Sequence, residues 1–180
     1  MPGRAEKLTP LRAFACVWMI CLAPVASAEP SLRLTSNVLW TGDADWFGGF
    51  SGAEISPDGG TLKIITDRGS LITAKLIRTG DAITAIGLSG YTRLAFANGR
   101  LLRGTIGGDA EGLAIAPNGD TYIAFEQRHR VARLDPSTGR THRLPALEGL
   151  EYLPRNGGLE ALAVHPDGTL LALPERAGPH

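Results

Sequence analysis

The chain has 180 residues, and its 18 Lys and Arg are balanced by 18 Asp and Glu. A neutral chain of this kind has no nucleic-acid footprint and no polybasic membrane surface. Its two cysteines, Cys16 and Cys21, both fall within the first 28 residues, so the remainder must be held by a core, and any metal site there must use oxygen or imidazole.

Residues 1–28 read as a secretory signal peptide. Arg4, Lys7 and Arg12 make a basic start, Ala13 to Val25 is apolar, and Ala26-Ser27-Ala28 is an A-x-A cleavage pattern. The apolar run falls short of the ~20 residues a spanning helix needs, so no membrane span is expected after cleavage. Neither cysteine has a lipid-attachment context. The leader holds three basic residues and one acid, which leaves fifteen basic and seventeen acidic side chains, a net charge of −2. The expected location is periplasmic or secreted, with residues 29–180 as one domain.

Beyond the leader, short apolar runs rich in Ile, Leu, Val and Thr are broken by Gly and Pro, with no 3.6-residue stripe. This pattern is all-β. In TGDADWFGG (41–49), Asp43 and Asp45 resemble part of a calcium loop but lack its glycine and distal glutamate. Trp40, Trp46 and Phe47 are expected in a core between sheets. GFSGA (49–53) has Ala53 where a G-x-S-x-G elbow requires its second glycine, so Ser51 is read as a hydroxyl at a strand start.

One hairpin then occurs three times. SGAEISPDGGTLKIITDRG (51–69), EGLAIAPNGDTYIAFEQRH (111–129) and EALAVHPDGTLLALPERAG (160–178) align on Pro57, Pro117 and Pro166, spaced sixty and forty-nine residues apart. In each, proline presets φ and glycine supplies the positive φ of the reversal, placing turns at 57–61, 117–120 and 166–169. Counting outward from a four-residue loop pairs Ala116 with Thr121 and Glu111 with Glu126, and likewise Glu160 with Glu175. In the first copy Ser51 faces Asp67. The count also puts Leu113, Ile115, Tyr122 and Ala124 on one face and Ala114, Ala116, Ile123 and Phe125 on the other, a sheet buried on both sides. Further strands are expected at 70–78 and 131–135. Gly107-Gly108-Asp109 reads as a turn with no P-loop lysine nearby, and His142 and His165 as surface loop residues.

Small sheets of about four strands, repeated and covered by their neighbours, are β-propeller blades. GGFSGAEISPDGGTLKIITDRG, DAEGLAIAPNGDTYIAFEQRHRV and NGGLEALAVHPDGTLLALPE resemble the bacterial exported phytase-like family, known as "esterase-like activity of phytase", from about Trp40 onward. The resemblance implies a six-bladed propeller and a phosphoesterase or esterase activity. Family members are longer, so the chain is expected to be a partial propeller of about three blades. Such a ring stays open, with two exposed sheet edges and self-association as another way to complete it.

The acids are then expected at one channel mouth. Directly opposed like charges destabilise a strand pair, which three devices can offset: a hard cation, an arginine, or a proton held by a desolvated carboxyl. The candidate metal ligands are Asp67, Glu111, Glu126, Glu160 and Glu175, with Ca²⁺ as the candidate cation. Arg68, Arg128 and Arg176 are candidates to grip a small-molecule ester or phosphoester. Glu111, Glu160 and His129 are candidate acid–base groups. The functional expectation is an exported hydrolase of phosphoesters or other esters at an acidic, metal-dependent channel site. The alternative is a non-catalytic propeller that binds a ligand or partner through the same face.

Overall fold

The computed structural model describes residues 32–176; the expected leader, 1–28, lies outside the described residues. The chain divides after Arg33, and the account below concerns the part from Leu34 onward.

The three Pro-Asp/Asn-Gly segments reverse the chain as their chemistry predicts. Gly59, Gly119 and Gly168 have φ of 70°, 89° and 91°, the left-handed region that glycine enters without steric cost. The preceding Asp58, Asn118 and Asp167 each accept a backbone N–H two residues on with the side-chain oxygen, an Asx turn. The hairpins are β1 (Phe50–Ile55) with β2 (Thr61–Thr66), β6 (Ala110–Ile115) with β7 (Thr121–Phe125), and β10 (Leu159–Val164) with β11 (Leu170–Pro174).

Outer strands complete the first two sheets. β3 (Ser70–Thr79) and β4 (Ala82–Arg93) extend the first into a four-stranded antiparallel meander. β8 (Arg130–Asp135) and β9 (Arg140–Arg143) extend the second, and the two-residue β5 (Ala95–Phe96) adds to β9 in parallel as a fifth strand. The third sheet has only β10 and β11 among the described residues. The helical pieces are short: α1 (Gly104–Gly108), and a 3-10 turn at Leu150–Tyr152. No helix among the described residues is long and apolar enough to cross a membrane.

The register differs from the expected count in two ways. Each loop closes one residue earlier, with Ala116 bonded to Asp120 and His165 to Thr169. Each first strand then carries a β-bulge, between Phe50 and Ala53, at Glu111 and at Glu160. Both shifts act in the same direction, so Glu126 faces Asp109, Glu175 faces Gly158, and Asp67 faces Gly49, each bonded through its N–H to that residue's carbonyl at 2.8–2.9 Å. The expected pairs Glu111–Glu126, Glu160–Glu175 and Ser51–Asp67 are therefore not formed.

The facing of the second sheet changes for the same reason, because a one-residue slip exchanges the faces of a strand. Leu113 pairs with Ile123 and joins Phe125, Ile65 and Leu71 in the core shared with the first sheet. Ala114 pairs with Tyr122 and joins Ala124, Leu159 and Leu162 in the core shared with the third. Burial on both faces holds, but the partition between the faces does not.

The first strands of the three sheets lie side by side, and glycine permits the approach. A Cβ on Gly52 would stand 2.7 Å from the Leu113 nitrogen, and one on Gly112 would stand 2.9 Å from the Leu162 nitrogen. Ala161, the equivalent residue in the third hairpin, is exposed. Trp40, Trp46 and Phe47, expected between sheets, lie outside both cores in a half-buried aromatic group. Trp40 meets Phe47 edge-on at 4.9 Å and Trp46 stacks on Tyr91 at 4.3 Å.

Candidate functional site

The bulges and the ends of the second strands bring five carboxylates together. One oxygen from each of Asp109, Glu111 and Glu126 lies within 4.8 Å of the other two, and the same holds for Glu126, Glu160 and Glu175. Glu126 belongs to both triads. The expected gathering of Glu111, Glu126, Glu160 and Glu175 thus occurs, through a different strand register. Asp67 belongs to neither triad, though its charge reaches Asp109 and raises its pKa.

Glu126 is the anchor. It is 6% exposed, and its Oε1 accepts the backbone N–H groups of Gly157, in a short contact, and Gly158, at 2.8 Å. Bonds from two N–H donors to an ionised oxygen are among the stronger hydrogen bonds a protein makes. They fasten the approach to β10 onto the end of β7. Gln127 takes φ of 55° and directs its amide to Asn156 Oδ1 at 3.3 Å and to Asp109.

Asp109 is buried, and desolvation, then the charge of Glu126, raises its pKa. Glu111 hydrogen-bonds to Asp109 and is pushed up to about 7, first by burial and then by Glu160 and Asp109. Glu160 is also raised, by burial and then by Glu126 and Glu175. A neutral Glu111 donating its proton to an ionised Asp109 is the arrangement these shifts describe.

The expected arginines sit at the margins. Arg68 approaches Asp67 at 3.8 Å and donates to the Asp45 carbonyl, and Arg176 approaches Glu175 at 4.0 Å. Arg68, Arg176 and Glu175 are exposed, whereas Asp67 is half-buried and its Oδ1 is buried with no hydrogen-bond partner among the described residues. Arg128 is exposed and makes no ion pair among the described residues. His129 is half-buried beside Gly158, where a Cβ would overlap its ring. Its Nε2 lies 3.0 Å from the Pro154 carbonyl, and its Nδ1 is buried with no hydrogen-bond partner among the described residues. Ser51 directs its hydroxyl toward the Gly49 carbonyl at 3.4 Å.

Asp109 is the site residue missed by sequence reasoning, which left it in a turn. Its signal was present: it stands two residues before the bulge, in line with Gly49 and Gly158 of the other repeats.

The donors fit a hard cation, since five carboxylates offer only oxygen, the ligand set that Ca²⁺ prefers. Glu126 Oε1 is already engaged by two N–H groups, so its second oxygen is the one free to ligate.

Residues 45–179 match the model of the family described as Phytase-like: esterase-like activity of phytase. The chain belongs to this family. No curated protein matches the phytase-like chain. Among solved structures it is similar to Kuenenia stuttgartiensis hydrazine synthase, at 18% identity and TM-score 0.41, over 67% of this chain and 27% of that one. It is also similar to the Myceliophteria thermophila Cps50 (Swd1) beta-propeller domain, at 13% identity and TM-score 0.40, over 69% and 35%. A third is virginiamycin B lyase from Staphylococcus aureus, at 13% and 0.38, over 69% and 48%. The phytase-like chain therefore spans less than half the length of each of these proteins.

Proposed function

We propose that this phytase-like protein is an exported hydrolase of phosphoesters or other esters. In this reading its sheets are consecutive blades of a six-bladed β-propeller, and the acid cluster is the reaction site. The observation that carries the reading is the pair of carboxylate triads joined at Glu126, in which Glu111 is pushed up to about 7.

A carboxyl that titrates near neutrality suits proton transfer in either direction. Glu111, ionised once a cation displaces its proton, would take a proton from the attacking water, with Asp109 beside it. Glu126, held by Gly157 and Gly158, keeps its charge aimed at the cluster. Glu160 and Glu175 complete the oxygen set for a hard cation, which when bound would polarise substrate oxygen and lower the pKa of water. Arg68 and Arg176 lie beside the acids at the ends of their hairpins and would orient an anionic substrate.

Ligand binding without turnover is favoured by one observation: the Ser51 hydroxyl and the His129 nitrogens are turned to backbone or buried. A panel of phosphoesters and carboxyl esters, assayed with Ca²⁺ and with EDTA, separates the two readings. Turnover lost in EDTA and in Glu111→Gln supports the hydrolase. No turnover with Ca²⁺ on any ester supports the binding module.

A further inference from the structure

Two residues along the chain from Asp109, and two from Glu126, the surface changes sign. Gly107 and Arg128 line a cavity of about 460 Å³ whose other walls are Phe96, Arg100, Leu101 and Arg103. A smaller cavity of about 160 Å³ shares Phe96 and Arg128 and adds Arg130 and Arg143. No acid among the described residues lines either cavity. Among the described residues, none of these five arginines makes an ion pair.

Arg130 is the informative member. It is 8% exposed, its guanidinium lies 3.7 Å from the centre of the Phe125 ring, and it donates to the carbonyls of Gly107 at 2.7 Å and Arg128 at 3.0 Å. Withdrawing a cation from water costs several kcal/mol. Here no carboxylate compensates, and burial followed by the charges of Arg143 and Arg128 lowers its pKa to about 10. Arg100 lies over Phe96 at 5.0 Å. A guanidinium stacked on a ring keeps its N–H edge free for a bidentate acceptor. The cavity is concave and has the size of small-molecule sites, and the chain has no net positive charge to suggest nucleic acid.

We propose that this arginine-lined cavity binds a small divalent oxyanion between Arg103 and Arg128, backed by buried Arg130, with any apolar stem against Leu101 and Phe96. The site takes anions by its own charges and does not depend on hydrolysis at the acid cluster.

The test is calorimetric titration of the full chain with inorganic phosphate and with phenyl phosphate, in EDTA so that no metal at the acids contributes. One saturable site is expected, with phenyl phosphate the tighter ligand. Arg103→Ala and Arg128→Ala should each weaken binding about tenfold or more, the loss of a charge-assisted bond pair. Arg103→Lys should fall between, because it keeps the charge and loses the fork. Arg133→Ala, whose arginine sits 3.5 Å from Asp120, is the control and should bind as the wild type does. Both key arginines are exposed, and circular dichroism verifies that their variants fold. No saturable binding by about 10 mM phosphate, or an equal loss in Arg133→Ala, overturns the site. Equal affinity for the two ligands overturns the stem contact. Turnover is not read, so an inactive acid cluster leaves the result unaffected.

Discussion

Glu111→Gln should make the protein more stable above neutral pH and leave it unchanged in acid. Folding raises this carboxyl from 4.5 to about 7, chiefly by burial and then by the charges of Glu160 and Asp109. The folded state therefore holds a proton that the unfolded chain has released, and stability falls as pH rises from about 4.5 through 7. At roughly 1.4 kcal/mol per pH unit the full effect over the rise from 4.5 to about 7 is about 3.4 kcal/mol. Glu111 is only half-buried, so solvent screening reduces this to about 1–2 kcal/mol. Glutamine keeps an N–H donor toward Asp109 and carries no charge at any pH. Urea denaturation at about pH 4, below the unfolded value of 4.5, should give matching midpoints for the two proteins. At pH 8 the variant should be ahead by about 1–2 kcal/mol, or roughly 3–6 °C in a thermal melt. Asp109 and Glu160 are raised as well, so both proteins keep a smaller decline in common. Profiles that stay superimposed from pH 4.5 through 7, with no offset at pH 8, would refute the buried, protonated Glu111.

Gly112→Ala should destabilise by about 1–3 kcal/mol in urea, because its Cβ would meet the Leu162 nitrogen at 2.9 Å and force β6 from β10. Ala161→Gly, at the equivalent exposed position, should cost at most about 1 kcal/mol by the same measurement. Glu126→Ala strands the N–H groups of Gly157 and Gly158 and should cost about 2–4 kcal/mol, whereas Glu126→Gln retains an acceptor and should lose less. Ca²⁺ should raise the melting temperature by mass action, more at pH 8 than at pH 5.5, because ligation requires Glu111 to release its proton. Glu111→Gln with Glu160→Gln should abolish that rise.

The hairpins were legible because their turns are written in residue types with one physical use each, as Asn118 and Gly119 show. The register was not legible. A bulge is a backbone adjustment, and nothing in the side chain of Glu111 or Glu160 distinguishes an extra residue from a paired one. The informative residue stands next to it. Gly52 and Gly112 each follow a bulged position and meet the backbone of an adjacent first strand, so a glycine inside an apolar strand marked both the close approach and the slip. Without the slip, Asp109 falls outside the pairing and out of consideration. The face assignment failed with it, since Leu113 and Ala114 exchange sides when the count moves by one.

The acids were recognised as a cluster although their pairing was misread, and the reason is geometric. Two shifts in the same direction exchange Glu111 for Asp109 opposite Glu126, but the bulge returns Glu111 to the same group of oxygens. Of the three devices expected to offset the repulsion, the chain supplies the proton itself, on Glu111, and adds a fourth, the paired N–H groups on Glu126. Arginine contributes only at the exposed ends, through Arg68 and Arg176 at 3.8 and 4.0 Å. A sequence displays neither backbone donors nor desolvation, both of which arise when the segment before β10 closes over the end of β7. A cation at this cluster would then displace a proton held by burial rather than relieve bare repulsion. Its apparent affinity would rise about tenfold per pH unit below 7 and level off above it, for as long as Glu111 is the only group to deprotonate.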